Sequence, residues 1–319
     1  MILNTEYDVI SIGAATVDIF VTSPSIKLVE GILSFPASSK NEISSGLICS
    51  GGGATNSVTT FSRLGLKTNC ISLLGSDPLS QYILNDLKKE KIDTPFLRQS
   101  KKENTDFSVI VVGPDGSRTV FVNRGSSRLE ASHLPWSKLK KVKWFYITSL
   151  EGNLDLLETI IGFAKENGIL LAFNPGNREI SEPRRLLSLI SHADFLLLNQ
   201  TEAEALSGLS SASSSFWDYY QNLSPEVAIT NGRLGAHLLT KNDHLYSPII
   251  NVRPVDETGA GDAFGSAAVA ALFYGQKPAI TLEWGIKNSA SVVSYLGAKK
   301  GILTLKQIKS NSPFTIRNS

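Results

Sequence analysis

Asp256-Glu257-Thr258-Gly259-Ala260-Gly261-Asp262-Ala263-Phe264-Gly265 sets a glycine-rich turn against an acidic residue, at the head of the apolar run 263–274. Gly259 and Gly261 let the backbone turn tightly and come close to a ligand, where a Cβ would obstruct it. Their amides, with those of Ala260 and Asp262, fall on the first turn of a helix. Unpaired N–H groups and the positive end of the helix dipole attract phosphate oxygens there. A carboxylate beside a bound anion is unfavourable unless it has a role. Asp262 can take a proton from a hydroxyl that attacks the phosphate held by the turn. The segment therefore reads as an anion hole with its own base, the pairing that phosphoryl transfer to an alcohol requires.

Two other readings fit this segment alone. An ordinary helix start with a capping aspartate would look the same. Gly259 and Gly261 also form a GxG, as in a dinucleotide-binding turn. That motif wants a strand ending in an acidic residue about 20 positions further on. The sequence there is Ile280-Thr281-Leu282-Glu283-Trp284-Gly285, which leads into another helical run, so the dinucleotide reading is weak.

The chain around this segment is 319 residues long, with 42% apolar and 19% charged residues, enough for a large packed core. Its 31 basic and 29 acidic residues give a net charge of +2, which points to neither nucleic acid nor membrane as a partner. Lys138, Lys140, Lys141 and Lys143 read as a solvated face. Cys49 and Cys70 have no metal-type spacing, and the four histidines are scattered, so no protein-held transition metal is implied. Two buried thiols in a reducing compartment is the expectation. Tyr7-Asp8-Val9-Ile10-Ser11-Ile12-Gly13 reads as a first strand rather than a signal peptide, and no apolar run reaches membrane-spanning length. These features predict a soluble cytoplasmic protein.

Strand-like runs at 9–13, 69–74, 144–148, 170–174, 195–199 and 227–230 alternate with helical segments at 56–64, 79–90, 154–167, 183–190 and 202–207. Several of the strands are apolar on both faces, as central strands of a parallel sheet must be. The pattern predicts an α/β fold of three layers, a mostly parallel sheet with helices on both faces. Two regions break the alternation. Residues 17–50 hold strand-like 17–21 and 47–49 around a Pro/Ser-rich stretch. Residues 105–112 and 118–123 read as a hairpin joined by Gly113-Pro114-Asp115-Gly116-Ser117. They predict a small β lid, contributed by about 17–50 and 105–124, on a single domain spanning 1–319. The serine run 210–215 reads as a surface loop, and there is no internal repeat.

Further motifs stand in order along the chain: Gly13-Ala14-Ala15-Thr16-Val17-Asp18; Gly51-Gly52-Gly53-Ala54-Thr55-Asn56 with Arg63-Leu64-Gly65; Asn199-Gln200-Thr201-Glu202; and Thr230-Asn231-Gly232-Arg233-Leu234-Gly235. Together with the glycine turn they resemble the signatures of the ribokinase-like, or PfkB, carbohydrate kinases, in register over nearly the whole length. The resemblance implies an ATP-dependent kinase acting on a sugar, with Asp262 as base and Gly259, Ala260 and Gly261 as the anion hole. It implies that Asp18, Gly52, Gly53, Asn56 and Glu151 hold the substrate. A carboxylate can accept from two sugar hydroxyls, glycines let the backbone approach the ring, and an amide both donates and accepts.

For the nucleotide it implies Asn199, Thr230, Gly232, Gly235 and Asn288, the last in a segment similar to the helix beside the adenine. Asn199 and Glu202 would orient hydrated Mg²⁺, which needs few protein ligands. The same two residues would also make a capping box, and Gly232–Gly235 a hairpin turn. In related kinases Asp256, Thr258 and the backbone near Val292 and Gly297 hold a monovalent cation, which makes activation by K⁺ an expectation. A homodimer through the lid is a further one.

The sequence departs from ribokinases at Thr16, where they carry asparagine, and at Gly125-Ser126-Ser127, where many carry Gly-Ala-Asn. Both departures leave the substrate open. Arg124, Arg128 and Arg178 could face an acidic or phosphorylated sugar. Asn174-Pro175-Gly176-Asn177-Arg178 is loosely similar to a segment of ketodeoxygluconate kinases. A nucleoside kinase, or a catalytically silent sugar- or nucleotide-binding protein on the same fold, are the alternatives.

Overall fold

The computed structural model describes residues 7–115, 117–125, 128–223 and 226–310. Gly116 of the hairpin joint, and Ser126 and Ser127, therefore lie outside the described residues. The β-rich runs form a nine-stranded sheet, in spatial order His244–Ser247, Ala236–Thr240, Glu226–Thr230, Phe195–Asn199, Leu170–Phe173, Trp144–Ile147, Val9–Ile12, Thr68–Gly75 and Leu97–Ser100. Pairing is parallel from Glu226–Thr230 to Leu97–Ser100, and antiparallel for the two strands at the other edge.

The period-2 alternation of these runs divides them between two cores. Ile10, Ile12, Phe145, Ile147, Leu196 and Leu198 pack on one face with helices Leu154–Asn167, Pro183–Ile190, Gln200–Ser207 and Ser214–Gln221. Val9, Tyr146, Phe195 and Leu197 pack on the other face with helices Gly53–Arg63, Ala260–Phe273 and Pro278–Val292. This is the three-layer arrangement that the alternation predicts.

A second, four-stranded sheet follows the order Ser45–Gly51, Thr16–Thr22, Phe107–Val112, Arg118–Asn123. Its central pair, Thr16–Thr22 with Phe107–Val112, is parallel, and the outer pairs are antiparallel. Strand Val9–Ile12 feeds into it through Gly13-Ala14-Ala15, so the lid grows from the carboxyl edge of the large sheet. A two-stranded ribbon, Lys27–Val29 with Ile32–Ser34, lies within the same insertion.

Three differences from the sequence reading have local causes. The helix expected from 56 begins at Gly53, and the one expected from 202 begins at Gln200. Strands Leu97–Ser100 and His244–Ser247 are edge strands, half-buried or exposed, and lack an apolar run long enough to mark them. The serine run ends in a helix, because Ser213 caps Ser214–Gln221 and the i, i+4 pair Phe216 and Tyr220 is buried beneath it. Among the described residues no helix is long and apolar enough to cross a membrane.

Candidate active site

Two helix N-termini meet where the lid joins the large sheet. The first begins Gly52-Gly53-Ala54-Thr55-Asn56, with Gly52 at φ 90° as its cap. A Cβ on Gly52 would lie 2.5 Å from the Ala14 carbonyl oxygen, and one on Gly53 2.6 Å from the Thr148 side chain, so both must be glycine. The second begins at Gly259, left-handed at φ 76°, where a Cβ would sit 2.4 Å from that of Ala298. The two ends are tied by Asn56, whose Nδ2 donates to Asp262 Oδ2 at 2.8 Å across 206 residues of sequence.

No side chain caps the Ala260–Phe273 helix. Ala263 is the first residue to bond back, its N–H reaching the Gly259 carbonyl at 2.9 Å. The Ala260 amide donates to the Glu257 carbonyl at 3.2 Å, so it is already engaged. The amides of Gly261 and Asp262 precede any intrahelical partner. A Cβ on Gly261 would meet nothing within 4 Å, so the space in front of these donors is open to a ligand. Asp262 is half-buried beside them; burial pushes its carboxyl up, against the Asn56 amide that donates to it.

Asp18 lies 6% exposed on the lid strand Thr16–Thr22. Burial raises its carboxyl, opposed by the hydroxyls of Ser108 and Thr16, the latter 3.4 Å away. Thr16, the departure from ribokinases, thus supports the aspartate. Asn56 Oδ1 is buried and has no hydrogen-bond partner, an acceptor left for a ligand hydroxyl.

Lys299, to which no sequence motif points, is 8% exposed behind these carboxylates. Its Nζ bonds Ser50 Oγ and lies 3.3 Å from Asp86 Oδ2, and its charge acts to lower both Asp18 and Asp262. Cys49, opposite Asp18 in the lid, is half-buried rather than buried. Its thiol is pushed up to about 12 by burial and by Asp18, and burial raises that of Cys70 likewise, which favours the neutral thiol in both.

Glu151 is held, not free. Its carboxylate lies 3.0 Å from Arg124 Nη1 and 3.3 Å from Arg178 Nη1, and Arg124 also lies 3.6 Å from Asp106 Oδ2. Arg124 and Arg178 are thus both paired with carboxylates within the protein, although Arg178 keeps 63% of its side chain exposed; Arg128 is exposed. Glu151 has φ 57°, and the loop that imposes this is organised by Glu179, fully buried on Asn177–Ile180. Glu179 accepts from the amides of Leu150 at 2.7 Å, Gly152 at 3.0 Å and Gly176 at 2.9 Å, and from Ser149 Oγ at 3.0 Å. Glu179→Gln turns an NH₂ toward these donors and is expected to cost about 1–3 kcal/mol in urea unfolding. The Michaelis constant for the acceptor should rise with that for ATP unchanged; equal changes in both would refute this local role.

Asn199 and Thr230 end adjacent parallel strands as register partners at the carboxyl edge of the sheet, where the sequence predicts the nucleotide. Asn199 and Glu202 form the capping box, with Glu202 N donating to Asn199 Oδ1 at 2.9 Å and Asn199 N to Glu202 Oε2 at 2.9 Å. Asn199 is exposed and burial pushes the half-buried Glu202 carboxyl up. One amide and one carboxylate fit a hydrated Mg²⁺ carried on a triphosphate, and no larger metal cluster exists among the described residues.

Gly232 and Gly235 lie in the turn joining the antiparallel strands Glu226–Thr230 and Ala236–Thr240. Space beside Gly232 is open, whereas a Cβ on Gly235 would meet the Ser247 carbonyl oxygen at 2.2 Å. Asn288 is a correction. It is fully buried, its Nδ2 donating to the Ala263 carbonyl at 2.8 Å and its Oδ1 accepting from Leu303 N at 2.9 Å, so both polar atoms are engaged within the protein and the side chain braces the helix behind the glycine turn.

The expected cation site also departs from the sequence reading. Asp256 is buried, but its Oδ1 is bonded by Arg118 Nη1 from the lid, and the same nitrogen lies 2.9 Å from Thr258 Oγ1. Asp256 Oδ1 also accepts from Thr258 N at 3.0 Å and Oγ1 at 2.7 Å, and Oδ2 from Gly297 N at 2.9 Å. With a guanidinium between these oxygens, the residues present do not fit a potassium ion.

Comparisons with known proteins agree with this fold. A family model described as pfkB family carbohydrate kinase matches residues 8–305. The ribokinase of Staphylococcus aureus (strain COL) is 28% identical over 266 residues, covering 81% of this chain and 86% of that protein. A putative ribokinase II from E. coli, solved with ATP and Mg²⁺, superposes with a TM-score of 0.81 at 22% identity, over 95% of this chain and 98% of that one. Arabidopsis thaliana ribokinase, solved with ribose and ATP, gives a TM-score of 0.80 at 19% identity, over 95% and 97%.

Proposed function

The chain belongs to the pfkB family of carbohydrate kinases, and we propose that it transfers the γ-phosphate of Mg·ATP to a hydroxyl of a neutral sugar. The observation that carries this reading is the Asn56–Asp262 bond of 2.8 Å, with Asn56 Oδ1 left as an unpartnered buried acceptor. It joins the sugar signature to the glycine turn at one point. The acceptor lies against Gly52 and Gly53, its hydroxyls donating to Asp18 and to Asn56 Oδ1. Its reacting hydroxyl faces Asp262, which takes the proton as the new O–P bond forms and the bond from the γ-phosphorus to the β,γ-bridging oxygen breaks. The amides of Gly261 and Asp262 stabilise charge on the transferring group, assisted by Gly259 and, if its turn bond loosens, Ala260.

Asn199 and Glu202 would hold Mg²⁺ through its waters, and Thr230, Gly232 and Gly235 would line the nucleotide. Bound Mg²⁺ supplies charge neutralisation of the triphosphate. Lid strands 16–22 and 107–112 close over the sugar and exclude water, which otherwise competes as acceptor. The lid's exposed Val120, Phe121 and Val122 support a homodimer through it, which light scattering would refute by a monomer mass.

ADP release from Mg·ATP against pentoses, hexoses, 2-keto-3-deoxy acids, phosphosugars and nucleosides tests this reading. One neutral sugar is expected to exceed the acidic acceptors by at least ~100-fold in kcat/KM, about 2.7 kcal/mol, because Arg124 and Arg178 are already paired with Glu151 and Asp106. A nucleoside leading the panel would replace the sugar reading. Nucleotide binding without turnover on any acceptor would leave a silent binding protein.

A further inference from the structure

Asp256 stands three residues before Gly259, and its side chain is 3% exposed. A buried carboxylate needs a compensating charge, and removing its partner is strongly unfavourable. The partner here comes from the far side of the site. Arg118 opens strand Arg118–Asn123, which pairs with Phe107–Val112, which in turn pairs with the Asp18 strand Thr16–Thr22. From there its guanidinium bonds Asp256 Oδ1, lies 2.9 Å from Thr258 Oγ1 and comes within 3.5 Å of Glu257 Oε2. Glu257 reaches on to Arg233, 3.7 Å away in the Thr230–Gly235 turn. The planar fork of arginine suits this bridging, since it presents several donors in fixed directions.

We propose that Arg118 is a built-in cation. It neutralises Asp256 from the lid, in the place of a free monovalent ion, and so makes the position of the glycine turn depend on the position of the lid. The lid strand that carries Asp18 and the turn that holds the phosphate are then coupled through one side chain. Arg118 is a positioning residue, as it bonds the segment before the turn rather than a reacting atom. The consequence is a kinase whose turnover ignores the identity of the monovalent cation.

The test rests on the kinase reading for its kinetic arm and is independent of it for the other. Wild-type protein is assayed with K⁺, Na⁺ or choline as the sole monovalent cation at fixed ionic strength, where turnover should vary by less than about twofold. Arg118→Ala should lose about 10²-fold in kcat in choline, the scale of a displaced active-site segment, and regain most of it in K⁺ along a saturable curve. Saturable K⁺ activation of the wild type overturns the proposal, and so does full activity of Arg118→Ala in choline. A loss that no cation restores also overturns it, since Arg118 would then be structural only.

Thermal unfolding supplies the second arm. KCl should raise Tm over choline chloride for Arg118→Ala and leave the wild type unmoved; equal responses of the two proteins overturn the proposal. If Arg118→Ala does not fold, Arg118→Lys keeps the charge and must stay indifferent to K⁺. A wild type that phosphorylates no acceptor in any salt defeats the kinase reading, while the Tm comparison still decides the role of Arg118.

Discussion

Asp262→Asn is expected to lower kcat by about 10²–10⁴-fold, the usual contribution of a positioned general base, while Mg·ATP and sugar still bind. Asparagine keeps the shape and can still pair with Asn56, which lies 2.8 Å away in the wild type, so the loss reports proton transfer rather than collapse of the site. The pH profile gives a second reading. Burial raises the Asp262 carboxyl, and the base form is the unprotonated one. The acid limb of kcat/KM should therefore lie above the ordinary carboxylate range, with activity present above it and lost as pH falls through it. Asp18 is raised as well, by burial, so the assignment depends on the variant. An acid limb that persists unchanged in the residual activity of Asp262→Asn would move the titration to Asp18. Near-full turnover of the variant would remove Asp262 as base.

Gly259→Ala and Gly261→Ala should fail in opposite ways, although the residues are two apart. Gly259 is left-handed at φ 76°, and its Cβ would sit 2.4 Å from that of Ala298. The backbone alone costs about 1–2 kcal/mol, and overpacking adds about 1–3 kcal/mol, so Tm should drop along with activity. Gly261 has no atom within 4 Å of a new Cβ, and its position is helical. Alanine there should be neutral or stabilising by up to about 1 kcal/mol. The added methyl enters the open space before the Gly261 and Asp262 amides, and turnover should fall by about 10²-fold, as when an oxyanion donor is removed. Calorimetry and kinetics on the two proteins check this. A Gly261→Ala protein with normal kcat and normal KM for ATP would mean that the phosphate lies elsewhere.

The local parts of the site were legible because each is a short motif whose chemistry is carried by neighbours in sequence. The glycine turn with Asp262, the Gly52-Gly53 start and the Asn199–Glu202 box all stand at element ends, where the chain predicts them. Asn288 and the cation site departed from expectation because each depends on the environment of a side chain. Asn288 looks like a ligand-facing amide in its helix, and only the packing of two helices and residue 303 around it takes both its polar atoms. Glu179 follows Asn177-Arg178 and carries no mark of burial, yet four donors from two loops converge on it. Lys299 looks like one half of a surface pair until Ser50 and Asp86 are brought against it.

The amino-acid pattern alone specifies the three-layer α/β fold and its lid, because period-2 apolar runs alternating with helical ones can bury both faces of a parallel sheet in only a few ways. It also determined the family, through motifs held in order. The tertiary structure decided which charges answer one another. Arg118 and Asp256 are 138 residues apart and on different sheets and loops. An ion pair depends on distance and burial, and neither is encoded by the identity of the residues beside it.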